Sequence, residues 1–509
     1  MQYILCVLEL IFTKQHSDNP NDESDSSIEV IDEKSNSTKR PMYHRMLIEE
    51  LNRDFNFTNW TRIIQLMTLE TKHDIPAVII DHKEYLYELN ILFSRYSKQT
   101  VDNYLCWAQV AKFLPYLGPR FRRIYADFRR EVPDLSQGVD SLTSSRVFLS
   151  RWKECVHITC EGLKLPSSIL YLHHNKEYLQ NAIANVKLMV DDIKNAFYSL
   201  VDKQSWLNNT GIKQRMKDRA REINSKVAFP DFVNSSESDE MYKLYTVYTD
   251  DVFVLNIIRM AEYEMRLELQ KINQSLDHDK EWLFHPLISN AFADSTNKFI
   301  ILPVGILRYP LLSFKRPVYS FSNFFQKDYL DYATLGVVIG HEIAHSFYNE
   351  LKKEINSEPN WWTSELSDEY ERRTQCFISQ FSSYRIEEIR ENASFVLSGN
   401  QTLEENICDY AGLQQAFTAY QTSKRDHNVL LPGLTKYTPD QLFFVQYAQI
   451  WCEIANEDGH RKSLHDSHAP GKFRANGVMV NTEQYASAFS CKLNSAMNPE
   501  NKCKLWSAV

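Results

Sequence analysis

Long apolar runs are scarce in this chain of 509 residues, and the one at its N-terminus is short. Residues 3–12 are apolar apart from Glu9, which is too few residues to span a bilayer. The run also lacks the basic residues and the small-residue cleavage site of a signal peptide. It therefore fits a weak signal sequence, the end of a helix in a truncated chain, or an artefact of where the reading frame was started.

Glycine is also scarce, at 13 residues, while long stretches carry apolar residues at three- and four-residue spacing. These two features predict a mainly α-helical protein. The net charge of −9 argues against nucleic acid as the main partner. A hydrophobic content of 43% and an aromatic content of 13% are typical of globular proteins, and the length allows two or more domains.

Local patterns predict individual elements along the chain. Apolar periodicity predicts helices over 83–96, 101–117, 179–205 and 212–225, and Gly118-Pro119 ends the second of them. Lys298–Leu302 has the composition of a strand and is closed by Pro303. Residues 16–41 are rich in Ser, Asp, Glu and Asn, which predicts a flexible segment.

The stretch Leu335–Glu350 contains His341-Glu342-Ile343-Ala344-His345, an H-E-x-x-H pattern. Residues four apart lie on one face of a helix, so both imidazoles can reach one metal ion. Glu342 is then close enough to act as general base toward a metal-bound water. Two surface histidines on an ordinary helix would give the same pattern, so the hypothesis of a metal site needs a third ligand.

Glu405 and Asp409, again four apart, lie about sixty residues downstream on a predicted helix. Zinc in hydrolases commonly takes two His and one carboxylate and leaves one position for water. One helix can present Glu405 to the metal and Asp409 to the back of a zinc-bound His. A solvated acidic helix face would explain the charges but not their distance from the first motif. We therefore expect one Zn²⁺ per chain, held by His341, His345 and Glu405.

This combination resembles the neprilysin family of zinc metallopeptidases, in which H-E-x-x-H is followed by E-N-x-x-D. Further matching stretches are Asn290-Ala291-Phe292, Trp361-Trp362, Leu431-Pro432-Gly433-Leu434, Gln449-Ile450-Trp451-Cys452 and His468-Ala469-Pro470-Gly471-Lys472-Phe473-Arg474. The resemblance runs from about residue 80 to the C-terminus and is dense after residue 286.

The resemblance implies a fold and a division of the chain. The fold is mainly α with a small β-sheet, and it combines a thermolysin-like zincin lobe of the gluzincin type with a helical lid lobe. The division is a flexible segment over 1–42, a helical lid region over 43–285 and a zinc metallopeptidase region over 286–509.

The resemblance also implies roles for single residues. Glu342 is the general base, His468 stabilises the oxyanion, and Asp409 orients a zinc-bound His. Arg474 holds a substrate carbonyl. An extended peptide binds through its main chain to the segment that carries Asn290 and Ala291. An apolar pocket for the residue after the scissile bond is lined by Val337, Val338, Ile450 and Trp451, although these four fit plain core equally well.

Three positions near the site depart from the family pattern. Tyr348 stands where the family has an outer-shell Asp, Ala293 where an aromatic residue is usual, and Ala411 where the family has Gly. Loss of an outer-shell partner typically costs about 10- to 100-fold in metal affinity or activity. Family members also carry a long extracellular stretch before the point where this chain begins, mostly behind a transmembrane helix, so we expect a truncated isoform or an incomplete gene model.

Cysteines and glycosylation sequons indicate the compartment. Nine cysteines cannot all pair. By resemblance Cys376 and Cys503 form a disulfide, whereas Cys155, Cys452 and Cys491 match positions whose usual partners lie in the absent stretch. This disulfide and eight sequons favour a secretory route to an extracellular or plasma-membrane location. The sequons are at Asn36, Asn56, Asn59, Asn208, Asn234, Asn273, Asn392 and Asn400.

Two functions remain open at this point. The first is a zinc endopeptidase or oligopeptidase that hydrolyses small extracellular peptides before bulky apolar residues. The second is a catalytically silent or weakened peptide-binding homologue. Retention of Glu342, His468 and Arg474 favours the enzyme, because a silent homologue has no need of a general base. The sequence leaves the peptide and the oligomeric state open.

Overall fold

The computed structural model describes most of the chain from residue 44 onward. The described residues are 44–67, 75–80, 82–131, 151–207, 209–230, 248, 251–272, 282, 285–295, 297–312, 328–356, 363–387, 389, 395–423, 430–431 and 433–506. The predicted flexible segment 1–42, Trp361-Trp362 and Cys6 lie outside them.

The elements confirm a mainly α-helical chain with little sheet. In chain order the strands are β1 His44–Leu47, β2 Ala77–Ile80, β3 Asn224–Ala228, β4 Phe292–Asp294 and β5 Phe299–Pro303. The helices are α1 Ile48–Asp54, α2 Trp60–Met67, α3 Lys83–Ser94, α4 Lys98–Phe113, α5 Pro119–Glu131, α6 Arg151–Gly162, α7 Lys164–His174, α8 Lys176–Lys203, α9 Thr210–Glu222, α10 Phe253–Gln270, α11 Asp328–Asp331, α12 Val337–Asn356, α13 Ser364–Phe381, α14 Leu403–Thr422, α15 Pro439–Ile450, α16 Glu457–Ser463, α17 Gly471–Met479 and α18 Glu483–Ala488.

The chain forms two compact units. The first comprises Met1–Pro166 and Phe232–Glu281, and the second comprises Ser167–Asp231 and Trp282–Val509. Residues 167–231 thus belong to the second unit, although the sequence grouped them with the helical region 43–285. The domain division at residue 285 stays a prediction.

In the first unit, β1 and β2 form an antiparallel pair beside a small apolar cluster. Phe55 and Leu51 are almost fully buried in this cluster, together with Trp60 and Leu86. The Trp60 indole N–H donates to the Phe55 carbonyl, so the polar atom of the buried ring is satisfied. The predicted helices over 83–96 and 101–117 correspond to α3 and α4, and the latter stops before the Gly118-Pro119 break as expected.

In the second unit, the three-stranded sheet has the order β3-β5-β4. Strand β5 pairs in parallel with β3 and antiparallel with β4. The helix predicted over 212–225 ends at Glu222, and Asn224 and Ser225 lie instead in β3, so the last part of that prediction was wrong. A tertiary contact replaces the helix here, because the Asn224 N–H donates to the carbonyl of Lys298, far along the chain.

The core of the second unit is built around α14, whose residues are buried on every face from Glu405 to Phe417. A helix buried all round belongs to the interior of a protein. Helix α12 packs along α14 and against β4 and β5. It continues from α11 through a π-helical turn at Tyr332–Gly336. Such turns are frequent near functional sites.

Two further findings concern a covalent cross-link and the apolar length of the helices. The predicted disulfide between Cys376, on α13, and Cys503 is present and spans 127 residues of sequence. Among the residues that the structure describes, no helix is both long enough and apolar enough to cross a membrane.

Candidate zinc site

Two helices bring the polar residues of the candidate site together. Helix α12 carries His341, Glu342 and His345, and α14 carries Glu405 and Asp409. The helices approach closely at two glycines, since a Cβ added to Gly340 would lie 2.9 Å from the Cα of Gly412. Side chains larger than hydrogen at this crossing would hold the helices apart.

Four side-chain atoms face one another at this crossing. The Nε2 atoms of His341 and His345 lie 2.9 Å apart. The Glu405 Oε2 atom lies 3.2 Å from Nε2 of His341 and 3.3 Å from Nε2 of His345. It also lies 3.1 Å from Nε2 of His468, on the segment before α17. The His468 side chain is 43% exposed, whereas the other three residues are buried.

The far side of each α12 imidazole faces a carboxylate. The Nδ1 atom of His341 lies 2.8 Å from Oδ1 of Asp409, and the Nδ1 atom of His345 lies 3.2 Å from Oε1 of Glu404. A carboxylate on Nδ1 holds the proton there and leaves the Nε2 lone pair free for a metal. In this tautomer each Nε2 atom has a free lone pair, and the two lone pairs can reach the same metal ion.

Asp409 is also bound by Arg474. The guanidinium donates from Nε to Oδ2 and from Nη2 to Oδ1, each at 2.7 Å. Burial alone would raise the pKa of Asp409, but Arg474 and His341 hold it at about 2. The Arg474 guanidinium also lies 3.9 Å from the centre of the Trp451 ring, a cation–π contact. Arg474 therefore fixes the charged carboxylate that orients His341.

His468 is held by a carboxylate of its own segment. Its Nδ1 lies 3.0 Å from Oδ1 of Asp466, and its backbone N–H donates to the same oxygen at 2.8 Å. Burial lowers the pKa of His468, but Asp466 and Glu405 together raise it to about 9. The ring is thereby fixed with Nε2 directed toward Glu405.

Glu342 and Glu405 lie at the same centre in different environments. Burial raises the pKa of Glu342 above its ordinary value, against the opposite influence of His341 and His345. Burial would also raise the pKa of Glu405, but the imidazoles around it hold that pKa well below its usual range. A carboxylate with a raised pKa suits proton transfer near neutral pH, and one with a lowered pKa suits a metal ligand.

The donor set fits a zinc ion. Zn–N and Zn–O bonds of about 2.0–2.2 Å put the ligand atoms of a tetrahedral site roughly 3.3 Å apart. The distances among His341, His345 and Glu405, 2.9 to 3.3 Å, are close to this value. A second set, His341, Glu405 and His468, also brings its ligand atoms within 4.8 Å of one another.

The residues predicted to bind substrate lie in two places. Asn290 and Ala291 precede β4, an edge of the three-stranded sheet, and the Asn290 Oδ1 accepts a hydrogen bond from the Ala291 N–H at 3.0 Å. Of the four predicted pocket residues, Val337 is 1% exposed, while Val338, Ile450 and Trp451 are half-buried. Their predicted role as a pocket stays a prediction.

Tyr348 and Ala293, two of the departures from the family pattern, are both buried. Burial raises the pKa of the Tyr348 phenol, which is therefore neutral. Sequence reasoning gave no role to Glu404 or Asp466, which contact His345 and His468. The signals that could have found them are the adjacent pair Glu404-Glu405 and the Asp-x-His spacing.

Comparison with known proteins gives consistent matches. Two models of peptidase family M13 match the chain, one over residues 26–230 and the other over residues 290–505. The endothelin-converting enzyme homolog of Locusta migratoria is 28% identical over 480 residues, which cover 91% of this chain and 62% of the relative. Neprilysin of Homo sapiens is 28% identical over 524 residues, which cover 95% of this chain and 64% of the relative. This chain thus spans less than two thirds of the length of either relative.

Solved structures confirm the fold. An inhibitor complex of the zinc metalloprotease Zmp1 of Mycobacterium tuberculosis superposes with a TM-score of 0.73 at 22% identity and covers 92% of this chain and 66% of that one. PepO from Lactobacillus rhamnosis gives a TM-score of 0.69 at 20% identity and covers 91% of this chain and 66% of that one. The zincin architecture predicted from the sequence is therefore that of this chain.

Proposed function

The chain belongs to peptidase family M13, and we propose that it acts as a zinc-dependent endopeptidase or oligopeptidase. The observation that carries the proposal is the convergence of His341, His345 and Glu405 within 3.3 Å of one another, with Glu342 beside them on α12. Family membership alone does not establish this activity, because the chain spans less than two thirds of its relatives.

His341, His345 and Glu405 would hold the metal. His345 is a better ligand than His468, because His345 is buried while the His468 side chain is 43% exposed. When bound, Zn²⁺ supplies a Lewis acid that polarises the scissile carbonyl and makes water a stronger acid.

Glu342 takes a proton from the attacking water as the water oxygen bonds to the scissile carbon. It then delivers that proton to the amide nitrogen as the C–N bond breaks. His468 donates from Nε2 to the carbonyl oxygen, where negative charge develops. Asp466 supports this role because it holds the other side of the ring.

The proposed substrates are small extracellular peptides with a bulky apolar residue after the scissile bond. An extended peptide can add to β4, an edge strand of the three-stranded sheet, beside Asn290 and Ala291. Trp451 and Val338, both half-buried, offer apolar surface, and Arg474 lies over the Trp451 ring. The disulfide and the exposed sequon residues Asn56, Asn59 and Asn400 support a secretory route.

Hydrolysis of an internally quenched peptide with Phe or Leu after the scissile bond tests the proposal. The protein is recovered from the medium of secreting cells, and the parent is compared with Glu342→Gln and with Glu365→Gln, an exposed carboxylate on α13. We expect zinc-dependent cleavage by the parent and by Glu365→Gln. Glu342→Gln should keep one zinc per chain but lose about 10²- to 10⁴-fold in kcat, the usual contribution of a general base.

The same experiment tests the alternative of a silent peptide-binding homologue, which the neutral phenol of Tyr348 favours. A parent protein that binds zinc and peptide without cleavage would support that alternative. Equal cleavage by the parent and Glu342→Gln would contradict the proposed mechanism.

A further inference from the structure

The two imidazoles of the candidate zinc site are oriented from the same helix. Asp409 lies at Nδ1 of His341, and Glu404 lies at Nδ1 of His345. Both carboxylates are on α14, on either side of Glu405 in the sequence. Helix α14 therefore supplies the carboxylate at the centre of the site and a carboxylate behind each imidazole.

Glu404 and Glu405 hold the His345 ring from its two nitrogens. The Glu405 Oε2 lies 3.3 Å from Nε2, and the Glu404 Oε1 lies 3.2 Å from Nδ1. Adjacent residues on a helix point in directions about 100° apart, so consecutive side chains can reach opposite edges of one ring. The Glu404 side chain is 22% exposed, whereas Glu405 is buried, as expected for a partner behind the ring.

Tyr348 cannot take this role. It lies three residues after His345 on α12, where the neprilysin pattern has an Asp. Its side chain is a buried phenol, which carries no charge near neutral pH. A neutral hydroxyl is a weaker acceptor for an imidazole N–H than a carboxylate is.

Cys408 is another neighbour of His345 on α14, and it is fully buried. A thiol is a weak acceptor and a weak donor. Glu404 is therefore the stronger partner for the His345 N–H.

We propose that Glu404 is the positioning residue for His345 and replaces, from α14, the carboxylate that the family pattern places at the position of Tyr348. The proposal rests on the assignment of His345 to the metal in the proposed function. It predicts that a carboxylate at position 348 can replace the one at position 404 as the partner of His345.

Zinc affinity of the metal-free protein tests this without any reference to catalysis. The purified full chain is stripped of metal and titrated with Zn²⁺ in competition with a chromophoric chelator. The variants are Glu404→Ala, Cys408→Ala, Tyr348→Asp and the double variant Tyr348→Asp/Glu404→Ala. Glu365→Ala is the matched control, because Glu365 is likewise an acidic residue in the first turn of its helix.

We expect Glu404→Ala to weaken zinc binding by about 10- to 100-fold, the usual effect of losing an outer-shell carboxylate. Glu365→Ala and Cys408→Ala should bind zinc as the parent does. The double variant should recover most of the lost affinity. The thermal midpoint of metal-free Glu404→Ala should match that of Glu365→Ala, which separates positioning from helix stability.

Unchanged zinc affinity in Glu404→Ala, or a loss in Cys408→Ala of the size predicted for Glu404→Ala, would overturn the proposal. A double variant that binds zinc no more tightly than Glu404→Ala would also overturn it. Because the readout is metal binding, a chain that binds zinc as predicted but cleaves no peptide would contradict the proposed enzyme and leave the role of Glu404 intact.

Discussion

Arg474 makes contacts that limit what else it can do. Two of its nitrogens donate to Asp409, and its plane lies against Trp451. The backbone carbonyl of Arg474 also accepts a hydrogen bond from the Tyr447 hydroxyl at 2.9 Å. The guanidinium thus keeps Asp409 charged behind His341, and only its remaining N–H groups are available to a substrate carbonyl.

Glu369 on α13 offers a test of electrostatics away from the candidate site. Its carboxylate accepts hydrogen bonds from Arg372 at 2.7 and 2.8 Å and from Arg373 at 2.7 Å. Hydrogen bonding with Arg372 is the main cause that lowers the pKa of Glu369 to about 2. A carboxyl group with a lowered folded-state pKa stabilises the fold above its unfolded pKa, 4.5 for Glu, and this contribution is lost as the pH falls toward 2.

We predict that Glu369→Gln lowers the free energy of unfolding by up to about 1 kcal/mol at pH 7, since the pair is partly solvated. The difference from the parent should shrink below pH 4.5 and be nearly gone near pH 2. Urea denaturation at pH 7, 4 and 3 measures it. Glu371→Gln, an exposed carboxylate on the same helix, is the control. If the difference in unfolding free energy between the parent and Glu369→Gln grew as the pH fell, the predicted stabilisation by ionised Glu369 would be contradicted.

At the level of elements, the crossing of α12 and α14 determines whether the metal-binding residues can meet. A Cβ on Gly412 would lie 2.6 Å from the Val337 carbonyl oxygen and 2.8 Å from the His341 nitrogen. Both are backbone atoms, so relief requires that the helices move apart. The family pattern has a second glycine where this chain has Ala411, but Gly412, which the close approach needs, is present.

We predict that Gly412→Ala destabilises the fold by about 1–3 kcal/mol, as overpacking of a core usually does. It should also weaken zinc binding at least tenfold, because it shifts His341 relative to Glu405. Thermal unfolding and chelator competition measure the two effects. Gly118→Ala is the control, since a Cβ there meets nothing within 4 Å. A Gly412→Ala protein with parental stability and zinc affinity would contradict the role of this crossing.

The sequence predicted elements well where local spacing determines them. The i, i+4 pairs His341–His345 and Glu405–Asp409 follow from the pitch of a helix, so their convergence could be anticipated. The parallel pairing of β3 with β5 could not be anticipated, because β3 pairs with a strand more than seventy residues further along the chain. For the same reason the contact of Glu404 with His345 needed the structure, since it depends on how α14 packs against α12.

For the whole molecule, the grouping of elements into units was the least predictable property. Apolar periodicity placed α8 correctly as a helix but could not show what covers its buried face. That face includes Leu179, Val186, Ile193 and Phe197, and α8 packs on α9 and on α14. The partners of an amphipathic helix depend on tertiary packing, which periodicity does not encode.

The disulfide connects distant parts of the second unit. Cys376 lies on α13, and Cys503 lies 127 residues further along, close to the C-terminus. Arg373, one turn before Cys376, donates to the carbonyl oxygen of Lys504 at 2.9 Å, so the same two segments are also joined without the covalent bond. The main effect of the disulfide is therefore expected in the unfolded chain, whose freedom is restricted by a large closed loop.

We predict that the double variant Cys376→Ser/Cys503→Ser folds but loses about 2–5 kcal/mol of unfolding free energy, the usual range for a native disulfide. Cys452→Ser, which removes an exposed free thiol, is the control and should match the parent. Denaturant unfolding of the three proteins without reductant measures the loss. With reductant present, the parent should fall to the stability of the double variant, because both then have an open chain. A parent that stays more stable after complete reduction would show that the serines disturb packing, and that the stabilisation does not come from the covalent link.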